Sequence, residues 1–590
     1  MNPWQRRPYR KARLGLVLGC FALGFMAIAG RLYLTQIVQH ESLRRLAARQ
    51  YQQQLTLHPE RGQIVDRQGR VLATSLPVPS VYAVPHEVAN PDRVASQLAE
   101  VLQSPRARLH QQLQAQGPFV WLARQVTPEV EQRLRALALP GIHVLSERRR
   151  YYPYRHLAGQ VLGFVGVDGQ GLGGVEYAFD RHLSGQVRQV TVPRDALRRR
   201  LLAADPPRGA DVHLTLDAQL QYLAEKELAT RVEETGATRG LALLMQPYTG
   251  DILALALYPF FNPNDFRDPA QQQWQRNWAV TDPVEPGSTF KVIVAAAALE
   301  AEVARPEEPF FCEEGLLQRG PRRIRDHEPF GFLSFAEVLQ FSSNIGAVKI
   351  AERLTPEQLY RYIRRFGFGE STGVGLPGES PGEVRPPKAW SGFSQASLAL
   401  GQEIAVTPLQ LITAYAAIAN GGWLVQPRLV RSLVRGDTRQ TLPPRLRRQV
   451  LSRRTAEQLT AILTGVTVRG TGRLAAVPGY AVAGKTGTAQ KVDAETGGYS
   501  QQRVLASFVG YLPAEAPELV LLVMLDEPQR HRWGGQAAAP LFRRIAQQAL
   551  HYLRVPPPQG KALTVRAPQP DVPYMTVADR GVARAAPRAE

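Results

Sequence analysis

Ser288 and Lys291 stand three residues apart in Pro286-Gly287-Ser288-Thr289-Phe290-Lys291, directly before the apolar run Val292 to Leu299. On a helix this spacing puts hydroxyl and amine on adjoining turns of one face, within hydrogen-bond reach. A serine hydroxyl is a weak nucleophile until a base takes its proton, and a neutral amine beside it does that. A helix amino terminus disfavours added positive charge and burial disfavours it further, so both push Lys291 towards the neutral form. The chain holds 8 lysines against 63 arginines. Arginine does not release its proton in a protein whereas a buried lysine does, so each lysine is a candidate for work that arginine cannot do. Lys291 alone among them has a serine three residues earlier.

Two more polar clusters follow. Ser342-Ser343-Asn344 falls between a predicted helix over Ser334 to Gln340 and a second over Ile345 to Arg353. Such junctions project short polar side chains into clefts, although taken alone the tripeptide also reads as a helix cap. Ala483 to Gln490 reads as a strand carrying Lys485, Thr486, Gly487 and Thr488, followed by a turn at Gly497-Gly498 and strands over Val504 to Tyr511 and Glu518 to Leu525. A lone Lys-Thr-Gly is an ordinary strand end. The order Ser-x-x-Lys, Ser-x-Asn, Lys-Thr-Gly within one domain is far harder to reach by chance.

The elements that must hold these residues begin near Asp211, after the break Pro206-Pro207-Arg208-Gly209. Val212 to Leu216 predicts a strand, Asp217 a cap for a helix over Ala218 to Arg231, and Gly240 to Gln246 with Asp251 to Ala256 a hairpin turning at Pro247 to Gly250. The helix after Ser288 is apolar on every side, so it belongs at the centre of a large domain with its amino end near a cleft.

At 590 residues the chain is long enough for two to four domains, and 44% apolar with 21% charged residues is globular composition. Cys20 and Cys312 lie too far apart in sequence, one of them in an apolar run, to suggest a disulfide framework. The net charge of +20 does not point to nucleic acid, because the arginines are spread from Arg6 to Arg588 rather than gathered on one element. A cationic surface facing anionic phospholipid or wall polymer fits it.

Arg6, Arg7, Arg10, Lys11 and Arg13 precede an uncharged apolar stretch, Leu14 to Gly30, which Leu32 to Val38 extends. This predicts a membrane anchor with the basic side cytoplasmic and the rest of the chain outside. The rival reading is a cleaved signal peptide ending near Ala27-Ile28-Ala29, but no polar spacer separates the apolar run from that tripeptide. His40 to Gln54 reads as a polar helix, and Glu60 to Arg70 as strand, turn and strand with the turn at Asp66 to Gly69. Up to Pro207, short strands mix with helices over Asp92 to Leu102 and Pro128 to Ala138, an α+β pattern in which Asp66, Arg67, Arg149 and Glu176 are expected to be structural ion pairs and turn residues. Gly169, Gly171 and Gly174 match the spacing of a dinucleotide fingerprint between a strand-like Val161 to Val167 and a helix-like Val175 to Leu183. The basic stretch Val187 to Leu202 that follows does not supply the required crossover and acidic residue, so a surface loop is the expectation.

The three motifs, Ser288 to Lys291, Ser342 to Asn344 and Lys485 to Gly487, resemble those of the penicilloyl serine transferases. The anchor, the segment Arg61 to Gly69, and Arg149-Arg150-Tyr151-Tyr152-Pro153 with Leu162-Gly163-Phe164 look like the pedestal of class B penicillin-binding proteins. The resemblance runs over about residues 14 to 555. Within class B, Trp121 to Val126 and Leu139 to Gly163 look most like the division-specific members, penicillin-binding protein 3. Gly401-Gln402-Glu403 departs from the Gly-x-Gly often seen in Gram-negative members.

The resemblance implies an α+β protein: a cytoplasmic basic tail (1–13), a single transmembrane helix (14–38), an elongated pedestal (39–208), a transpeptidase domain with a central antiparallel sheet flanked by helices (209–555) and a disordered tail (556–590). It implies a peptidoglycan D,D-transpeptidase acting on stem peptides ending in D-Ala-D-Ala, acylated at Ser288 and inhibited there by β-lactams. Lys291 would be the base, Lys485 and Ser342 the proton relay, Asn344 the holder of the acyl amide, and Thr486 with Thr488 the carboxylate site. The backbone N–H groups of Ser288 and Thr488 would form the oxyanion hole. No cofactor or metal is implied. Partners would be a multispanning glycan polymerase and other division proteins. The alternatives are an elongation-type crosslinker, a carboxypeptidase, a β-lactamase, and a membrane-tethered scaffold or drug sensor. A scaffold has no need of a deprotonatable amine at 291, and a β-lactamase has no need of a pedestal.

Overall fold

The computed structural model describes residues 7–57, 59–186, 188–193, 208–319, 322–493 and 497–557. The predicted break at 206–207, most of the basic stretch 187–202 and nearly all of the tail 556–590 lie outside them. The described chain divides into two units, one formed by the amino-terminal residues to Glu60 together with 185–208, the other by 61–184 and 209 onward.

In the first unit a helix runs over Arg7–Tyr33 and continues as a wider turn over Leu34–Val38. Ala12–Val38 is long and apolar enough to cross a membrane. The polar helix His40–Tyr51 ends three residues before the predicted Gln54, because Gln52–Leu57 leaves it as a strand paired antiparallel with Arg188–Pro193. That partner is distant in sequence, so local pattern carried no sign of it.

In the second unit, one sheet runs in the order Thr438–Thr441, Val430–Arg435, Asp211–Leu214, Ile64–Val65, Val71–Ala83, Val120–Ala123, with Ile142–Tyr151 also on Val71–Ala83. Helices Pro91–Leu102, Arg106–Leu113 and Pro128–Leu137 bury Leu98, Leu109, Leu113 and Leu134 in a small core with Val81 and Leu122. Glu176 is fully buried between Arg61 and Arg150, at 2.6 Å from each. Arg150 therefore takes the place expected of Arg149. The strand expected over Val161 to Val167 is instead a short helix, Gly159–Leu162, followed by an isolated bridge of Val165 to Gly171. A Cβ on Gly171 would lie 2.0 Å from the Glu176 carbonyl oxygen and one on Gly174 2.4 Å from that of Val161, so close backbone approach rather than a phosphate explains these two glycines.

The second sheet is antiparallel, in the order Ala483–Val492, Tyr499–Leu512, Leu519–Asp526, Arg239–Met245, Ile252–Tyr258. Both faces are covered, and successive residues alternate between them: Leu241, Leu243 and Met245 join one core, Ala242 and Leu244 the other. The first core holds the central helix Lys291–Glu300, buried from Lys291 through Leu299, and Pro408–Ala419, buried throughout. The second holds Ala218–Thr235, capped by Asp217 as predicted, and Gly534–Tyr552. The strand Ala483–Val492 is an edge of this sheet, with one side of its backbone unpaired.

Candidate active site

Ser288 lies not in the α-helix but in the 3₁₀ turn Gly287–Phe290 that feeds it. Gly287, at φ +56°, turns the chain, and its N–H donates to the Gly401 carbonyl at 3.2 Å. The turn is clamped from within by Thr289 Oγ1 donating to the Pro286 carbonyl at 2.7 Å, and from outside by Tyr415 Oη donating to the Thr289 carbonyl at 2.8 Å. The edge strand presses against it. A Cβ on Gly487 would lie 2.8 Å from Thr289 Cγ2 and 2.3 Å from Ser507 Oγ, so only glycine lets the strand approach this closely.

The second motif sits at the predicted junction. Helix Phe335–Gln340 ends, Ser342 takes the left-handed conformation at φ +60°, and Ser343 caps helix Asn344–Ala351 through Oγ, which accepts from Gly346 N at 2.9 Å. A non-glycine residue held at positive φ costs on the order of 1–3 kcal/mol and persists where its surroundings dictate it. Here the result is that Ser342 Oγ meets both amines: Lys485 Nζ donates to it at 2.8 Å and Lys291 Nζ lies at 3.4 Å.

Lys291 and Lys485 are 1% and 0% exposed. Burial lowers Lys291 to about 7, with the negative charge of Asp326 opposing the shift. Burial also pushes Lys485 well below the usual lysine range, and the charge of Lys291 adds to this. The first-motif amine is thus shifted towards the neutral form, the direction that the sequence predicts, with burial the dominant cause. Its hydrogen bonds differ from the expectation. Lys291 Nζ donates to the Ser342 carbonyl and to Asn344 Oδ1, each at 2.7 Å, and to the Ser343 carbonyl at 3.3 Å. Among the described residues Ser288 Oγ is not one of its acceptors. Carbonyl and amide oxygens hold the amine's protons, and Ser288 lies half-buried in the turn before it. Catalytic hydrogen bonds of this kind commonly tighten only when substrate arrives.

Thr486 Oγ1 lies 2.7 Å from Thr471 Oγ1, and Thr488 Oγ1 accepts from Gly534 N at 3.0 Å, which leaves the Thr488 hydroxyl proton free to donate. Hydrogen bonds thus join Lys291, Ser342, Asn344 and Lys485, and Gly487 of the edge strand packs on Thr289 in the turn that carries Ser288. Sequence reasoning missed Asp326, whose carboxylate holds Ser343 and Asn344, and Glu285, which accepts from Glu403 N at 2.9 Å and Tyr499 Oη at 3.0 Å just before the nucleophile turn. Burial raises the Glu285 carboxyl. Asp326 lies 16 residues before Ser342 with no local sign of its role, and Glu285, although three residues before Ser288, is a lone acidic residue with no pattern of its own. Among the described residues no group of three or more His, Cys, Asp or Glu is placed to hold a metal ion.

Comparison with known proteins agrees with this geometry. The family model described as the penicillin-binding protein transpeptidase domain matches residues 240–547, and the penicillin-binding protein dimerisation domain matches 56–214. Stage V sporulation protein D of Bacillus subtilis is 36% identical over 93% of this chain and 86% of its own. The peptidoglycan D,D-transpeptidase FtsI of Escherichia coli K12 is 33% identical over 92% of each. The crystal structure of penicillin-binding protein 3 from Mycobacterium tuberculosis with aztreonam is 30% identical, with a TM-score of 0.68 over 87% of this chain and all of that one. With both family models matched in order, and alignments that run through the dimerisation region as well as the catalytic sheet, the chain belongs to the class B penicillin-binding proteins.

Proposed function

We propose that the protein is a peptidoglycan D,D-transpeptidase that crosslinks stem peptides during septal wall synthesis and is acylated by β-lactams at the same serine. The observation that carries the chemistry is the meeting of Lys291 and Lys485 at Ser342 Oγ, beside the turn that bears Ser288.

In this reading neutral Lys291 takes the Ser288 proton as Oγ attacks the penultimate D-Ala carbonyl. The oxyanion that forms is met by the N–H groups of Ser288 and Thr488, each such donor contributing on the order of 10² to 10³ in rate. Ser342 and Lys485 deliver a proton to the departing D-Ala amine, and the C–N bond breaks to leave an ester on Ser288. Asn344 holds the acyl amide, while Thr486 and Thr488 bind the terminal carboxylate. The strand edge around Thr488 takes the peptide backbone as an added strand, and Gly487 lets that strand lie close against the turn of Ser288. The amine of a second stem peptide then attacks the ester, and Ser288 recovers its proton.

The septal assignment is supported by the pedestal segments Trp121 to Val126 and Leu139 to Gly163, which resemble the division-specific members, and by the fold likeness to penicillin-binding protein 3. The apolar helix Ala12–Val38, with basic residues before it, supports a single-pass inner-membrane protein with its amino terminus cytoplasmic and residues 39 onward outside. The same reading assigns a pedestal over 39–208 and a catalytic domain over 209–555, and makes a multispanning glycan polymerase and other division proteins the expected partners.

The test is labelling with a fluorescent penicillin, followed by imaging of a fluorescent fusion in cells. Covalent label that is lost in Ser288→Ala, with the fusion gathered at the septum, is the expected result. A wild-type chain that takes no label points to a scaffold, and an even lateral distribution points to the elongation role.

A further inference from the structure

The lysines of the first and third motifs bond to the second motif from one side, but a group outside all three must pin its helix cap. The loop after strand Arg322–Arg325 does this from two sides. Asp326 Oδ2 accepts from Ser343 Oγ at 2.6 Å, while Oδ1 accepts from the Asn344 N–H and from Ile345 N at 3.2 Å. The Arg325 carbonyl accepts from Asn344 Nδ2 at 2.7 Å, which fixes the amide so that Oδ1 turns towards Lys291 Nζ. Ser342 is thereby held one residue before a pinned cap, in the backbone conformation that aims its hydroxyl between the two amines.

We propose that Asp326 is a positioning residue of the transpeptidase site, pinning the Ser342–Asn344 turn beneath the two lysines and supplying the negative charge that faces Lys291. The inference rests on the reading of Ser288 as nucleophile and Lys291 as its base.

A helix cap alone would support stability and leave the chemistry untouched. Asp326 does more because it sits within the field of the catalytic amine. The charged and titratable groups that face this amine are Asp326, Lys485 from the edge strand, and His327 from the same loop. Asp326 favours the protonated amine, and the other two, when charged, disfavour it. With Asp326 neutral, Lys291 loses its proton at lower pH. The carboxylate therefore keeps the lysine basic enough to accept a proton from serine, against burial that would drive it lower.

The experiment measures the rate of acylation by a fluorescent penicillin on the full chain in detergent, from about pH 5.5 to 8.5, with thermal midpoints for every variant. Asp326→Asn retains an oxygen for the two backbone N–H groups. It is expected to label, with the midpoint of its acid limb about half to one pH unit below the wild type. At pH 6 it should therefore reach a several-fold larger fraction of its own plateau. Asp326→Ala loses the clamp as well, and its plateau should fall about 10- to 100-fold while the chain remains folded. An Asp326→Asn profile that superimposes on the wild type, or an Asp326→Ala plateau equal to the wild type, overturns the proposal. Label that persists in Ser288→Ala defeats the underlying reading of the site instead, and is a separate result.

Discussion

Lys291 shows how one side chain joins stability to function. Its amine is buried among oxygen acceptors that suit the charged form, yet burial costs the charge enough to bring the group to about 7. The same residue on the surface would be protonated throughout the physiological range and useless as a base. The sign of the pH effect follows directly. In the proposed role the working form is the neutral amine, present above about 7 and lost as pH falls through it. Acylation by a penicillin should therefore fall about tenfold per pH unit well below that midpoint and level off above it. Stopped-flow acylation across pH checks this, and a flat profile between about pH 5.5 and 7 would remove Lys291 from the role of base. Lys291→Arg should abolish acylation, because guanidinium keeps its proton.

At the scale of elements, the site is a junction between a turn and an edge strand, and Gly487 controls their distance. The two atoms a Cβ would strike, Ser507 Oγ and Thr289 Cγ2, belong to the neighbouring strand and to the nucleophile turn, and both residues are buried. Gly487→Ala must push the strand away from Ser288. A displacement of about 1 Å between an oxyanion donor and a nucleophile costs on the order of 100-fold in rate. The expected outcome is a folded variant whose penicillin acylation falls about 100-fold or more, read from acylation kinetics beside the thermal midpoint. The three motifs and their elements were legible because each depends on local pattern: an all-apolar helix after Ser288, a capped junction at Ser342, a strand at Lys485. What sequence did not carry is partnership over distance. Asp326 reaches Ser343 across 17 residues of chain, and Gln52–Leu57 becomes a strand only because Arg188–Pro193 lies beside it. The choice of Asn344 Oδ1 over Ser288 Oγ as an acceptor of Lys291 likewise depends on packing that no spacing encodes.

Across the whole second unit, buried charge joins segments far apart in sequence. Glu176 between Arg61 and Arg150 is compensated on both sides, and removal of either arginine would leave one of its buried oxygens without its ion-pair partner. Glu225 is different. It lies on helix Ala218–Thr235, and its Oε1 accepts from Ala158 N and Gln221 Nε2, each at 2.8 Å, joining this helix to the segment that follows Tyr152. Among the described residues its Oε2 is buried without a hydrogen-bond partner, His156 Nε2 lying 3.7 Å away, and burial raises the carboxyl to about 7. In the unfolded chain the group ionises near the ordinary glutamate value, so between about 4.5 and 7 the folded state holds more protons than the unfolded one. Stability contributed by this residue is therefore lost as pH rises through that window, by at most a few kcal/mol. Glu225→Gln keeps an oxygen for both donors and carries no charge at any pH. Its thermal midpoint should exceed that of the wild type at about pH 8 and approach it at about pH 5, where the native carboxyl is protonated. A variant whose difference from the wild type is the same at both pH values would show that the buried carboxyl does not titrate in this range.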